Sequence, residues 1–305
     1  MSNKKYKLQD FINIATIKGG YCLSKEYISM HDKLHLKCKR HHEWQVRAGN
    51  IANGSWCREC NFIDNRKHTC DFDFFKKDTP ESFYIAGFWC ADGWVCGGPE
   101  GYVSSIELSI KDIQHLKNIK NILNSTVPIK TSWSSGVYTK NIPKQTCEIH
   151  ISSKEIFNDL AKFGVVPNKT YKVEMSEWLM NHKYINHFLR GYIDGDGCFC
   201  KAKNKNQRHH ITFSMRGTYT FLNQFHNIML INNVAYRKRR YSKPLVGKKE
   251  LMFDKIQYSG NSIIERLSNF LYKNSTICLQ RKKDIADMAK TFKSYDMSND
   301  LNKNS

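Results

Sequence analysis

The stretch Phe188–Phe199 reads F-L-R-G-Y-I-D-G-D-G-C-F, and 104 residues earlier Tyr84–Val95 reads Y-I-A-G-F-W-C-A-D-G-W-V. This register lays Asp92 on Asp196, Gly87 on Gly191 and Ala91 on Gly195. The separation is that of one domain-sized unit repeated once. In each copy two small residues stand four apart, hence on one helix face, where they let a second helix approach closely. The Gly after each Asp can take the left-handed conformation that ends a helix. Each Asp is therefore expected at a helix C-terminus, where the helix dipole disfavours an anion, and two such carboxylates also repel each other. A bound divalent cation explains the pair better than stability does.

The two stretches resemble the paired motifs of the LAGLIDADG homing endonuclease family, as I-A-G-F-W-C-A-D-G and L-R-G-Y-I-D-G-D-G. In that frame the eighth position, the family's catalytic acid, falls on Asp92 and Asp196. The sixth is Asp194 in the second copy but Cys90 in the first, a departure at a less demanding position. The resemblance extends to G-V-V-P-N-K-T at Gly164–Thr170, which makes Lys169 a candidate active-site lysine. It also extends to N-F-L-Y-K-N-S-T-I-C-L-Q-R-K-K at 269–283, where Lys282 is the counterpart and Arg281 and Lys283 stay open as alternatives. It implies an α+β monomer of two pseudo-symmetric αββαββα repeats forming a DNA-binding saddle. The implied reaction is Mg²⁺-dependent double-strand cleavage across the minor groove with short 3′ overhangs, the metal held by Asp92 and Asp196. Two alternatives come with it: an RNA maturase assisting group I intron splicing, with intron RNA as partner, and a degenerate DNA-binding regulator.

Charge points the same way. The chain has 305 residues, a formal net charge of +20 and a pI near 9.4, an excess that suits a polyanionic partner, double-stranded DNA first. No apolar run reaches the ~18 residues of a spanning helix, and the start, M-S-N-K-K-Y-K-L-Q-D, lacks the apolar core of a signal peptide. An intracellular protein is expected, in the host cytoplasm or nucleoid and encoded by a phage or mobile element, with no membrane partner. Eleven cysteines in a reducing compartment are then thiols or metal ligands.

Near the N-terminus, C-K-R-H-H-E-W at 38–44 is followed by W-C-R-E-C at 56–60. Cys38, His42, Cys57 and Cys60 are the ligand set for a tetrahedral structural Zn²⁺, with His41 competing for the place of His42. A module this small has physical reason to hold a metal. The stretch also resembles the small zinc-ribbon modules found beside phage and mobile-element nucleases, which implies an added DNA-binding or positioning element.

The expected layout is a zinc module at 1–70, repeats at 71–178 and 179–290, and a disordered polar tail at 291–305, with His68–Glu81 as a polar linker. Within each repeat, apolar spacing gives helix, two strands, helix, two strands, helix. From Lys201 to Lys249 there is no Asp or Glu, unlike an ordinary solvated surface. Lys201, Lys203, Lys205, Arg208, Arg237, Arg239 and Arg240 are the DNA-binding candidates from this stretch. Alternation places the three lysines together on one strand face, and Arg237 with Arg239 on another.

Overall fold

The computed structural model describes residues 6–98, 101–134, 143–204, 207–236 and 253–301. They form two compact units, Met1–His68 and Thr69–Ser305. None of the described helices is long and apolar enough to cross a membrane.

The first unit runs α1 (Leu8–Ile17), β1 (Tyr21–Cys22), β2 (Lys33–Lys37), β3 (Glu43–Arg47), α2 (Ala48–Ala52) and α3 (Arg58–Asp64). Its antiparallel sheet has the order β1-β2-β3. In β2, K-L-H-L-K, alternation sends Leu34 and Leu36 inward. They meet Phe11, Ala15, Ala48 and Ile51, which complete the buried apolar core. Beside this small core the buried Cys38, Cys57 and Cys60 cluster against Trp44 and Trp56.

The second unit begins with α4 (Pro80–Asp92), β4 (Gly93–Gly98), β5 (Gly101–Ser109), α5 (Ile113–Ile122), β6 (Lys130–Ser134), β7 (Lys144–Ile151), α6 (Lys154–Ala161) and α7 (Glu177–Met180). It continues with α8 (Ile185–Asp196), β8 (Cys198–Lys203), β9 (His209–Thr218), α9 (Tyr219–Ile231), β10 (Phe253–Ser259), α10 (Asn261–Tyr272) and α11 (Gln280–Leu301). The first half gives an antiparallel sheet of order β4-β5-β7-β6; the described strands of the second half give β10-β9-β8. β8, β9 and β10 repeat β4, β5 and β7, and the stretch that would supply a fourth strand, 237–252, lies outside the described residues.

The motif helices α4 and α8 pack on each other at the centre of this unit. Burial is unbroken from Ser82 to Cys90 in one and from His187 to Asp194 in the other. A helix covered on all sides loses its polar face, which is why the motifs read as apolar runs. The small residues allow the contact. A Cβ at Gly87 would overlap the carbonyl oxygen of Phe188, and one at Gly191 the carbonyl oxygen of Tyr84.

The structure departs from the sequence reading at three places. Gly93 and Gly197 end their helices in extended backbone, at φ −96° and −76°, rather than left-handed. Glycine is needed there for space: a side chain would strike Trp89 at Gly93, and the Ile193 carbonyl and side chain at Gly197. Residues 69–79, expected within a linker, belong to the second unit, because Phe74 and Phe75 are buried in its core and the Asp71 N–H donates to the Leu123 carbonyl at 2.9 Å. The final helix α11 continues to Leu301, past the start of the expected disordered tail; neither Pro nor Gly interrupts 280–301.

Candidate active site

Thr79 caps α4 through the Ser82 N–H, with Pro80 in the first turn. The helix then runs thirteen residues and ends on Asp92, while α8 runs twelve and ends on Asp196. The two ends lie side by side: a Cβ on Gly195 of α8 would stand 3.1 Å from Asp92 Oδ2 of α4. Burial pushes the Asp92 carboxyl up to about 6, and the neighbouring Asp196 charge adds to the rise. Burial also raises Asp196, whose carboxylate is favoured in turn by Lys169, Lys282 and a hydrogen bond from Tyr192. Tyr192 has Phe88 as its counterpart in the first motif, so Asp92 receives no matching hydroxyl from that position.

Both candidate lysines arrive at these helix ends. Lys169 sits in a turn after Asn168, whose backbone is left-handed at φ 55°, and its Nζ donates to the Ala91 carbonyl at 3.3 Å. Lys282 is buried, and its Nζ donates to the carbonyls of Ile193 at 3.0 Å and Gly195 at 2.7 Å. Both ammonium groups complement the dipole at a helix end; the Ala91 and Gly195 carbonyls are ones such an end leaves open, whereas the Ile193 carbonyl also accepts from the Gly197 N–H at 2.8 Å. Within the Arg281–Lys283 run, Lys282 is the residue whose ammonium reaches the end of α8. Arg281 instead forks onto Asp112 of the first half at 2.9 and 2.8 Å.

Asp194 has a larger role than its motif position suggests. It is fully buried and accepts from Tyr84 Oη at 2.8 Å, Tyr272 Oη at 2.7 Å and the Leu279 N–H at 2.7 Å. Burial raises its carboxyl, and these three donors oppose the rise. His115 Nε2 lies 3.0 Å from Tyr84 Oη. Burial pushes His115 down to about 4; because Tyr84 gives its one hydroxyl proton to Asp194, a hydrogen bond here requires the tautomer that carries its proton on Nε2. The partners are 110, 78 and 85 residues from Asp194, beyond any local sequence pattern. Cys90, its counterpart, is buried with its thiol pushed up to about 12 by burial.

In the first unit the ligand atoms of Cys38, His42, Cys57 and Cys60 all lie within 4.8 Å of one another. His42 Nδ1 is 3.5, 3.4 and 3.6 Å from the Sγ atoms of Cys38, Cys57 and Cys60, and the Cys38 and Cys60 sulfurs are 3.5 Å apart. Tetrahedral zinc with bonds of about 2.0–2.3 Å separates its ligands by similar distances, so the soft, closed donor set fits this ion. His41 takes a left-handed φ of 65° in the turn between β2 and β3, and the ring that reaches the sulfurs is that of His42.

The strand register gives the position of the described DNA-binding candidates. Lys201 and Lys203 do share a face, but it is that of buried Phe199, opposite Ile211 and His209 on β9. They are exposed on the helix-covered side of the sheet, towards its end. Arg208 lies in the β8–β9 loop, its N–H on Asn204 Oδ1 at 2.9 Å. Lys205, Arg237, Arg239 and Arg240 lie outside the described residues. The opposite face carries Cys198, Cys200, Thr212, Ser214, Arg216, Lys255 and Gln257, with Arg216 directly across from Lys255. The alternation Ile211, Phe213, Met215 carries the signal that assigns Arg216 to this face.

No protein-family model matches the chain. A stretch of 169 residues, 54% of the chain, is 28% identical to part of the reverse gyrase of Methanocaldococcus jannaschii and covers 10% of it. The chain thus spans about a tenth of the length of that relative. Among the solved structures that resemble it are three nucleases. The LAGLIDADG meganuclease I-AabMI bound to uncleaved DNA is 15% identical, with 72% of this chain and 92% of that chain covered and a TM-score of 0.45. The I-SmaMI LAGLIDADG homing endonuclease bound to cleaved DNA is 15% identical, with 74% and 92% covered and a TM-score of 0.47. The LAGLIDADG meganuclease I-CpaMI bound to uncleaved DNA is 13% identical, with 72% and 93% covered and a TM-score of 0.48. All three scores lie below 0.5, and the functional reading rests on the chain's own residues.

Proposed function

We propose that this chain is a site-specific DNA endonuclease of the two-motif LAGLIDADG type, making double-strand breaks with short 3′ overhangs. The observation that carries the reading is the convergence of Asp92 and Asp196, one from each motif helix, at buried helix ends with Lys169 and Lys282 beside them. Structural needs do not account for two adjacent acids at two helix C-termini.

Asp92 and Asp196 would hold Mg²⁺, since two carboxylates are the hard oxygen donors it prefers, and their mutual repulsion is relieved by a divalent cation. When bound, Mg²⁺ supplies charge stabilisation at the scissile phosphate and an activated water. Lys169 and Lys282 keep positive charge beside the phosphates and fix the helix ends that aim the two carboxylates. Burial lowers the Lys282 ammonium, which suits Nζ to holding or passing a proton in the closed site. Both carboxylates come from one chain, so a monomer completes the site. Double-stranded DNA is the partner favoured by the net charge of +20 and by the basic pair Arg216 and Lys255 on the exposed sheet face. Arg237, Arg239 and Arg240 are proposed as further phosphate contacts on sequence grounds. Zn²⁺ bound by Cys38, His42, Cys57 and Cys60 would be structural.

The test is selection of cleaved sites from a randomised duplex library with Mg²⁺, followed by sequencing of the ends. One enriched site with staggered ends is expected. Absence of cleavage together with tight binding of a structured intron RNA would favour the maturase role.

A further inference from the structure

Of the eleven cysteines, three are exposed: Cys96, Cys198 and Cys200. The last two form a pair. They stand two apart at the start of β8, on the exposed sheet face beside Ser214 and Thr212. Their sulfurs are 3.3 Å apart. Neither belongs to the Cys38/His42/Cys57/Cys60 cluster, and neither takes part in the active-site contacts described above. Strand alternation explains why the pair shares a face, but nothing about folding calls for two adjoining thiols there.

We propose that Cys198 and Cys200 are a redox modification site, closed by a low-molecular-weight disulfide such as oxidised glutathione into an intrastrand bridge that slows DNA cleavage. The second half of this statement rests on the endonuclease reading; the first does not. One cysteine sulfur attacks the reagent's S–S bond, forming a mixed disulfide and releasing one glutathione thiol. The second cysteine then displaces the other glutathione. The protein gives up two protons and two electrons, and the reagent takes up both.

The bridge has a mechanical consequence. Residues two apart on a strand have Cα atoms about 6.7 Å apart, at the upper end of the span a disulfide tolerates. Closure shortens the beginning of β8, and Asp196 lies two residues upstream, joined to the strand through Gly197. Misplacing a catalytic group by about 1 Å can cost up to about 100-fold in rate. The strain also makes the bridge readily reducible, as in regulatory rather than structural disulfides.

The experiment uses the full, zinc-loaded chain treated with oxidised glutathione, then alkylated with iodoacetamide and digested. The peptide holding Cys198 and Cys200 should be unalkylated and about 2 Da lighter than its dithiol form. Cleavage of the selected DNA site with Mg²⁺ should fall about 10–100-fold and return with dithiothreitol. Cys200→Ser should yield no lighter peptide. Alkylation of both cysteines, a stable glutathione on each, or a bridged protein that cleaves at the reduced protein's rate would each overturn the proposal. If reduced protein cleaves no DNA, the endonuclease reading fails and with it the coupling to cleavage; the peptide mass still decides the bridge.

Discussion

Asp92, a proposed catalytic residue, stands out by what it costs. Its native carboxyl is raised from 3.8 to about 6, so between roughly pH 4 and 6 the folded state binds more protons than the unfolded one. Stability at this site is therefore present at low pH and lost as pH rises through 6. A shift of this size corresponds to a penalty of about 3 kcal/mol above pH 6. Metal-free Asp92→Asn should then melt higher than wild type at pH 7.5, with the difference shrinking towards zero near pH 4. Thermal melts across that range check it, and a wild type more stable than the variant at pH 7.5 would show that the carboxylate is satisfied without metal. Asp92 and Asp196 are legible in the sequence because the motif repeats in register. Tyr192 is not, since a hydroxyl facing one acid and absent from the other leaves no periodic trace.

The helix pair depends on two kinds of contact that the sequence discloses unequally. Close approach at Gly87 and Gly191 follows from small residues four apart, and each backs onto a carbonyl oxygen of the other helix. Gly191→Ala should cost about 3 kcal/mol, because its neighbour is backbone that cannot yield; a chemical denaturation midpoint unchanged from wild type would contradict the packing. The Asp194 hub could not be read this way, because its donors Tyr84, Tyr272 and Leu279 come from three distant segments. Asp194→Asn places an N–H where three donors already point, and should destabilise by about 2–3 kcal/mol. Equilibrium unfolding compared with Asp196→Asn decides it: the Asp194 variant should be the less stable of the two. Its lower rank in the motif therefore concerns chemistry and not folding. Because Leu279 lies three residues before Lys282, loosening this hub should also loosen Lys282, the proposed active-site lysine.

For the molecule as a whole, the sequence conveyed the motif order, the clustering of Cys38, His42, Cys57 and Cys60 and the charge, but not which strand face is exposed. Lys201 and Lys203 illustrate the limit. Alternation groups them, yet only the burial of Phe199 and Ile211 tells which side the group takes. The Cys38/His42/Cys57/Cys60 cluster, the proposed zinc site, is legible because such chemistry is local: four donor residues within 23 residues close around one point. Purified protein should carry one zinc per chain by elemental analysis, and Cys57→Ala should lose it. Chelation should speed hydrogen exchange at the Cys38 and Cys60 amides, which donate within the cluster and its turn. Retained metal in Cys57→Ala would remove this assignment. The central claim is that the two motif acids perform the cleavage, and Asp92→Asn/Asp196→Asn on the selected site with Mg²⁺ tests it most directly. The double variant should bind that DNA as tightly as wild type and cut neither strand, whereas cleavage at the wild-type rate would contradict the claim.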